Sequence, residues 1–138
     1  KKTGKLLFHG IAVKPGKPTA AGIISDRLVI GLPGYPTSAL SNFYIVVLPV
    51  IERLLRVKFA RQKKRVRLAQ KVFSTVGRYE FLPVRLEKGK AVPVLRGSSA
   101  ITSLALADGF VEIDENTEVL GAESVVEVTL FPRGVVCN

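Results

Sequence analysis

The sequence has one cysteine, one histidine and no methionine in 138 residues. With Cys137 and His9 as the single members of their kinds, neither a disulfide framework nor a Cys/His zinc set can form within the chain. Nucleophilic catalysis of the triad kind has no material either. No serine lies in a Gly-x-Ser-x-Gly elbow, His9 sits in a strand-like run where a satisfied ring is the plainer reading, and Cys137 is incidental at the extreme end. Both nucleotide fingerprints, G-x-x-x-x-G-K and G-x-G-x-x-G, are missing. Acids are scarce, 11 against 21 Lys and Arg, and no paired-acid constellation stands out among Asp26, Asp108, Glu112, Asp114, Glu115, Glu118, Glu123 and Glu127. No catalytic residue and no metal ligand is therefore named from the residues. No apolar run reads as long enough to span a membrane, and no signal peptide is visible; with the cysteine usage this fits a cytoplasmic protein. Lys1 in the first position, with no methionine, reads as a piece of a longer protein, its C-terminal part.

What is present describes a globular chain: 47% hydrophobic and 23% charged residues. The formal net charge of +10 favours an anionic partner, whether nucleic acid, acidic protein or phosphorylated metabolite. A plain solvated basic surface accounts for it as well.

Lys5 to Val13 reads as a buried strand leading into the loop Val13-Lys14-Pro15-Gly16-Lys17-Pro18. Thr19 to Ser25 and Arg27 to Leu32 read as a hairpin whose turn at Asp26-Arg27 lacks glycine, which leaves the register open. The second strand ends in Gly31-Leu32-Pro33-Gly34-Tyr35-Pro36. There the apolar period changes to that of a helix, with Leu40, Phe43, Tyr44, Val47, Ile51, Leu54 and Leu55 on one stripe. Pro36 suits the first helical turn, Thr37 or Ser38 is an alternative cap, Pro49 predicts a kink, and the helix is expected to end near Val57.

The basic stretch from Arg53 to Arg67 marks a domain boundary. It reads as a solvated linker and helix end, or as a phosphate or nucleic-acid patch. Short strands follow: Val66 to Phe73, Glu80 to Leu86, Ala91 to Leu95, Phe110 to Ile113 and Ser124 to Leu130. A hairpin turn lies at Glu87-Lys88-Gly89-Lys90, one or two helical turns at Ile101 to Leu106 closed by Asp108-Gly109, and further turns at Asp114-Glu115-Asn116 and Gly121-Ala122-Glu123. The spacing predicts a small β-barrel or sandwich.

Three places carry candidate chemistry. Lys14 and Lys17 are point charges suited to phosphate or an oxyanion, and Gly16 between them allows close backbone approach. Gly31 to Ser38 is a strand–loop–helix passage of the kind that receives anions, and both loops follow apolar strands. Arg96-Gly97-Ser98-Ser99 with Thr102 and Ser103 offers hydroxyl donors before a helical turn. Each is equally an ordinary turn. The central expectation is that the first two loops face one phosphate-bearing ligand.

These motifs resemble the molybdopterin molybdenumtransferases, the MoeA and gephyrin E-domain family. Its pattern is a K-P-G-K-P loop followed by G-L-P-G-N-P-x-S-A. Gly77-Arg78-Tyr79-Glu80-Phe81, Gly97-Ser98-Ser99-Ala100-Ile101-Thr102-Ser103-Leu104 and Ala107-Asp108-Gly109-Phe110 look like its C-terminal domain. The resemblance runs from Phe8 to Phe131. It implies an α/β half-domain at residues 1–58, part of a three-layer molybdopterin-binding fold. A basic linker at 59–64, an all-β barrel at 65–133 and a tail at 134–138 would follow. The implied activity is insertion of molybdate into adenylylated molybdopterin with release of AMP, with Mg²⁺ taking part and a homodimer as the usual assembly. It implies contacts to phosphate or molybdate from Lys14, Gly16 and Lys17, a pocket floor of Pro33, Gly34, Tyr35, Pro36 and Ser38, and a facing set of Ser98, Ser99 and Ser103. Two positions depart from the pattern: Tyr35 stands where the family has asparagine, and Gly10 where it often has a basic residue. The family's Gly-rich and acidic segments are not in this chain, so the fragment alone is expected to be inactive. The other readings are a non-catalytic scaffold of the same fold and, less favoured for want of interleaved aromatics, a nucleic-acid-binding barrel.

Overall fold

The computed structural model describes residues 4–94 and 104–132, and the chain divides into two compact units, Lys1–Phe59 and Ala60–Asn138. The first unit holds an antiparallel sheet of β1 (Gly4–His9), β3 (Ala20–Ile24) and β4 (Arg27–Gly31), in the order β1-β3-β4. The short β2 (Val13–Lys14) lies in the connection between β1 and β3. The hairpin register pairs Ile24 with Arg27, so the turn is Ser25-Asp26 rather than Asp26-Arg27. Both turn residues have positive φ, 47° and 62°, the backbone that matches a tight hairpin to strand twist. Serine and aspartate take here the place usually given to glycine or asparagine.

The expected buried strand from Lys5 to Val13 is corrected. β1 stops at His9 and is mostly exposed, as are Ile23 and Ile24 of the central strand, because the faces of this sheet are open within the unit. Gly10, at φ 91°, turns the chain out of the sheet.

The helix starts at Pro36, as its missing N–H allows, and neither Thr37 nor Ser38 caps it; Tyr35 is the N-cap residue, without a side-chain bond. It runs as α1 (Pro36–Asn42), a π-helical turn (Phe43–Val47) and α2 (Leu48–Leu55). The π turn stands where proline would clash with a regular helix. The Leu48 N–H reaches back five residues to the Phe43 carbonyl, and the widened turn accepts the Pro49 ring. The last helical residue is Leu55, two before the expected point, and Arg56 caps it in a left-handed conformation with its N–H on the Glu52 carbonyl.

Because the π turn carries the helix through Pro49, Pro36–Leu55 is one stretch of 20 residues, within which an 18-residue window has a mean hydropathy of 1.4. That corrects the reading that no apolar run is long enough to cross a membrane: by length and composition this one is. A core helix of a layered domain passes the same test. The apolar stripe is not buried within its own unit, where Leu54 and Leu55 are 71% and 61% exposed.

The second unit is a closed five-stranded barrel. Its strands are β5 (Lys63–Leu68), β7 (Tyr79–Glu87), β8 (Lys90–Pro93), β9 (Gly109–Ile113) and β11 (Val125–Leu130). The order β7-β8-β5-β11-β9 is closed by pairing of β9 with β7; β5 and β8 are parallel and the other pairs antiparallel. The expected single strand from Val66 to Phe73 is two. β5 begins at Lys63, inside the stretch read as a linker, and ends at Leu68; β6 (Val72–Phe73) instead pairs with β10 (Val119–Leu120). Lys63 and Lys64 extend the strand because they lie opposite Thr129 and Val128.

Alternation puts Val66, Leu68, Val84, Ala91, Val111, Ile113, Val126 and Val128 in one core. Phe81 and Phe110, on the other parity of β7 and β9, stack with centroids 4.2 Å apart. Gly109, expected to close a helical turn, is the first residue of β9. A Cβ there would stand 2.3 Å from the Thr129 carbonyl oxygen, so only glycine fits.

Candidate functional site

Strand register brings the two loops to one end of the first sheet. His9 and Gly31 are both opposite Ala20, on either side of β3. The connection through residues 10–19 leaves from His9 and returns at Ala20, and the Gly31-to-Pro36 loop leaves from Gly31. Both loops thus start from the same end of the sheet, on the two strands that flank β3.

The first loop is closed by its own backbone. The Gly10 N–H donates to the Thr19 carbonyl at 2.8 Å and the Ile11 N–H to the Lys17 carbonyl at 2.9 Å. Lys14 is half-buried and its peptide to Pro15 is cis; Gly16 is buried and Lys17 exposed. In the second loop Pro33 is half-buried, Gly34 and Pro36 are exposed, and Tyr35 is 63% exposed. Ser38 is buried. Ser98, Ser99 and Ser103 lie outside the described residues, as does Cys137. His9 ends β1 with its side chain exposed.

The structure adds Thr19, Ser41 and Asn42, which the motifs did not single out. The buried residues of α1 are all polar: Ser38, Ser41 and Asn42. Ser41 Oγ donates to the Pro15 carbonyl at 3.0 Å, and Asn42 Nδ2 to the Gly16 carbonyl at 2.8 Å. Asn42 Nδ2 also bonds Thr19 Oγ1, which itself donates to the Gly16 carbonyl at 3.0 Å. Gly16 has φ 129°, and a Cβ on it would lie 2.5 Å from the Asn42 amide atoms. Glycine is needed here for conformation and for the close approach of α1. Asn42 Oδ1 is buried without a hydrogen-bond partner, at a cost of about 1–3 kcal/mol. The available sequence signal was Ser38, Ser41 and Asn42 at helical spacing, a polar face beside the apolar stripe.

On the barrel, an open hollow of about 250 Å³ is lined in part by Glu112, Asp114, Thr117 and Glu127. Its acids make it a poor receptor for an oxyanion. Burial, then the charge and hydrogen bond of Glu112, push the Tyr79 hydroxyl well above the usual tyrosine range. The Glu123 carboxyl is held low chiefly by its hydrogen bond from Lys90, and that of Glu127 by the bond from Lys63 at 2.6 Å. Among the described residues no three His, Cys, Asp or Glu side chains group to hold a metal ion.

The family model of the MoeA C-terminal region (domain IV) matches residues 65–131, the span of the barrel. A molybdopterin biosynthesis MoeA protein from Pyrococcus horikoshii matches 96% of the chain at 51% identity with a TM-score of 0.84. Residues 65–131 are thus a MoeA C-terminal region, and the chain as a whole is similar to MoeA proteins. It covers 34% of that Pyrococcus chain. A molybdenum cofactor biosynthesis protein from Pyrococcus furiosus matches 91% of it at 34% identity and TM-score 0.80, with 45% of that chain covered. The molybdopterin molybdenumtransferase of Bacillus subtilis is 30% identical over 132 residues, 91% of this chain and 31% of its own length. The chain thus spans about a third of the curated MoeA relatives it matches.

Proposed function

We propose that the protein carrying this chain serves in molybdenum cofactor biosynthesis as a molybdopterin molybdenumtransferase. Molybdate would enter adenylylated molybdopterin as water cleaves the phosphoanhydride and AMP leaves. The observation that carries this reading is the common sheet end of the two loops, with Lys14 and Lys17 on the one clamped by α1. Molybdate and phosphate are both tetrahedral oxyanions, and two ammonium groups on a rigid loop offset the charge that such ligands bring together. The relatives' names support the pathway. Magnesium is implied by the family. Among the described residues no three His, Cys, Asp or Glu side chains group to hold it.

The first unit is proposed as half of a three-layer α/β domain. Support comes from its open apolar faces: Leu6, Leu7, Ile24 and Val29 are exposed, as are Leu54 and Leu55 on the helix. Layers of a folded domain cover such faces. A cytoplasmic homodimer is the proposed setting, and this chain alone is proposed to be inactive.

The test is AMP release by the protein that carries this chain, supplied with adenylylated molybdopterin and molybdate. Lys14→Ala with Lys17→Ala is expected to slow release about 100-fold. Molybdate-independent release, or none, would overturn the reading; normal release by the double variant would remove Lys14 and Lys17 from the site.

A further inference from the structure

We infer that Asn42 and Thr19 are positioning residues, which hold the lysine-bearing loop in the shape that receives an oxyanion and act on substrate only through that loop. The inference rests on the proposed function. Its ground is the bonding pattern of the Gly16 carbonyl, which accepts from both Asn42 Nδ2 and Thr19 Oγ1 between the two lysines. Ser41 holds the neighbouring Pro15 carbonyl from the same helix. Three side-chain donors thus meet two successive carbonyls at the loop's centre, while Lys14 and Lys17 flank it. Asn42 and Thr19 are both fully buried, so neither reaches a ligand by itself.

The arrangement is not the one that stability alone would favour. Asn42 keeps Oδ1 buried and unpartnered, whereas a leucine of similar shape would leave no such atom. The Gly16 carbonyl would still be satisfied by Thr19. What leucine cannot supply is the second tether between α1 and the loop.

The test compares Asn42→Leu, Thr19→Val and Thr19→Ser in the protein that carries this chain. For the first two, KM for adenylylated molybdopterin should rise about tenfold with kcat held within about twofold. Amide hydrogen exchange over residues 10–19 should quicken in both while the barrel amides stay unchanged. Thr19→Ser keeps the hydroxyl and should restore KM and slow exchange. Unchanged KM and exchange in both isosteric variants would overturn the inference. So would a fall in kcat at constant KM, the mark of a smaller folded fraction. If the wild-type protein releases no AMP, the functional reading fails, and the exchange comparison still decides whether these residues hold the loop.

Discussion

Gly16 is where backbone and packing make the same demand. Its φ of 129° is open to glycine and strained for other residues, and its missing Cβ is the space Asn42 occupies. Gly16→Ala should therefore cost about 1–3 kcal/mol and weaken substrate binding together with stability, read by thermal unfolding and by KM. Tyr79 gives a pH-dependent prediction. Its proton is held more tightly in the folded state, so its contribution is complete below the unfolded value of 10.0 and is lost as pH rises beyond it. Stability should decline above pH 10 more steeply in the wild-type protein than in Tyr79→Phe, as denaturant titrations at pH 9 and 11 would show. An equal decline would remove Tyr79 as the cause.

At the scale of elements, closing the barrel needs contacts that side chains would block. β9 crosses β11 at Gly109, where a Cβ would meet the backbone of Thr129 rather than a movable side chain. Gly109→Ala should cost about 3 kcal/mol or more and be the most damaging glycine change in the barrel, measured by its unfolding midpoint. The pairs Lys63–Glu127 and Lys90–Glu123 join β5 to β11 and β8 to the turn before β11, and all four side chains are exposed. Both carboxyls titrate below their ordinary value, so their help is present above pH 4.5 and fades as pH falls through the lowered range. Glu123→Gln with Glu127→Gln should flatten the fall of stability below pH 4.5, and salt should produce much of the same flattening. The helix shows how a local rule and its outcome differ. Pro49 announced an irregularity, but whether it was a kink or a π turn depended on how the chain satisfied the freed carbonyls.

At the scale of the whole molecule the two units differ in self-sufficiency. The barrel closes on its own hydrogen bonds and, among the described residues, encloses a cluster of eight buried apolar side chains. The first unit buries mainly polar side chains under its loop and leaves Leu6, Leu7, Ile24, Val29, Leu54 and Leu55 exposed. Expressed separately, residues 60–138 should unfold cooperatively, and residues 1–59 should bind a hydrophobic dye and lack a cooperative transition. Equal cooperativity of the two pieces would contradict the layered-domain proposal.

Local backbone chemistry alone determined much of this protein. Proline and glycine marked both loops, Pro36 marked the helix start, Lys88-Gly89 the hairpin turn, and alternation the inner face of β11. The lysines at the candidate site were legible for the same reason: they stand beside residues whose conformational limits act over one or two positions. Burial of β1, the turn residues of the first hairpin, the split of β5 from β6 and the bonds from Thr19, Ser41 and Asn42 were decided by tertiary structure. Asn42 and Ser41 bond carbonyls 26 positions earlier in the chain. No local pattern distinguishes a polar residue that faces water from one that faces a loop, since that depends on which segment the fold brings against it.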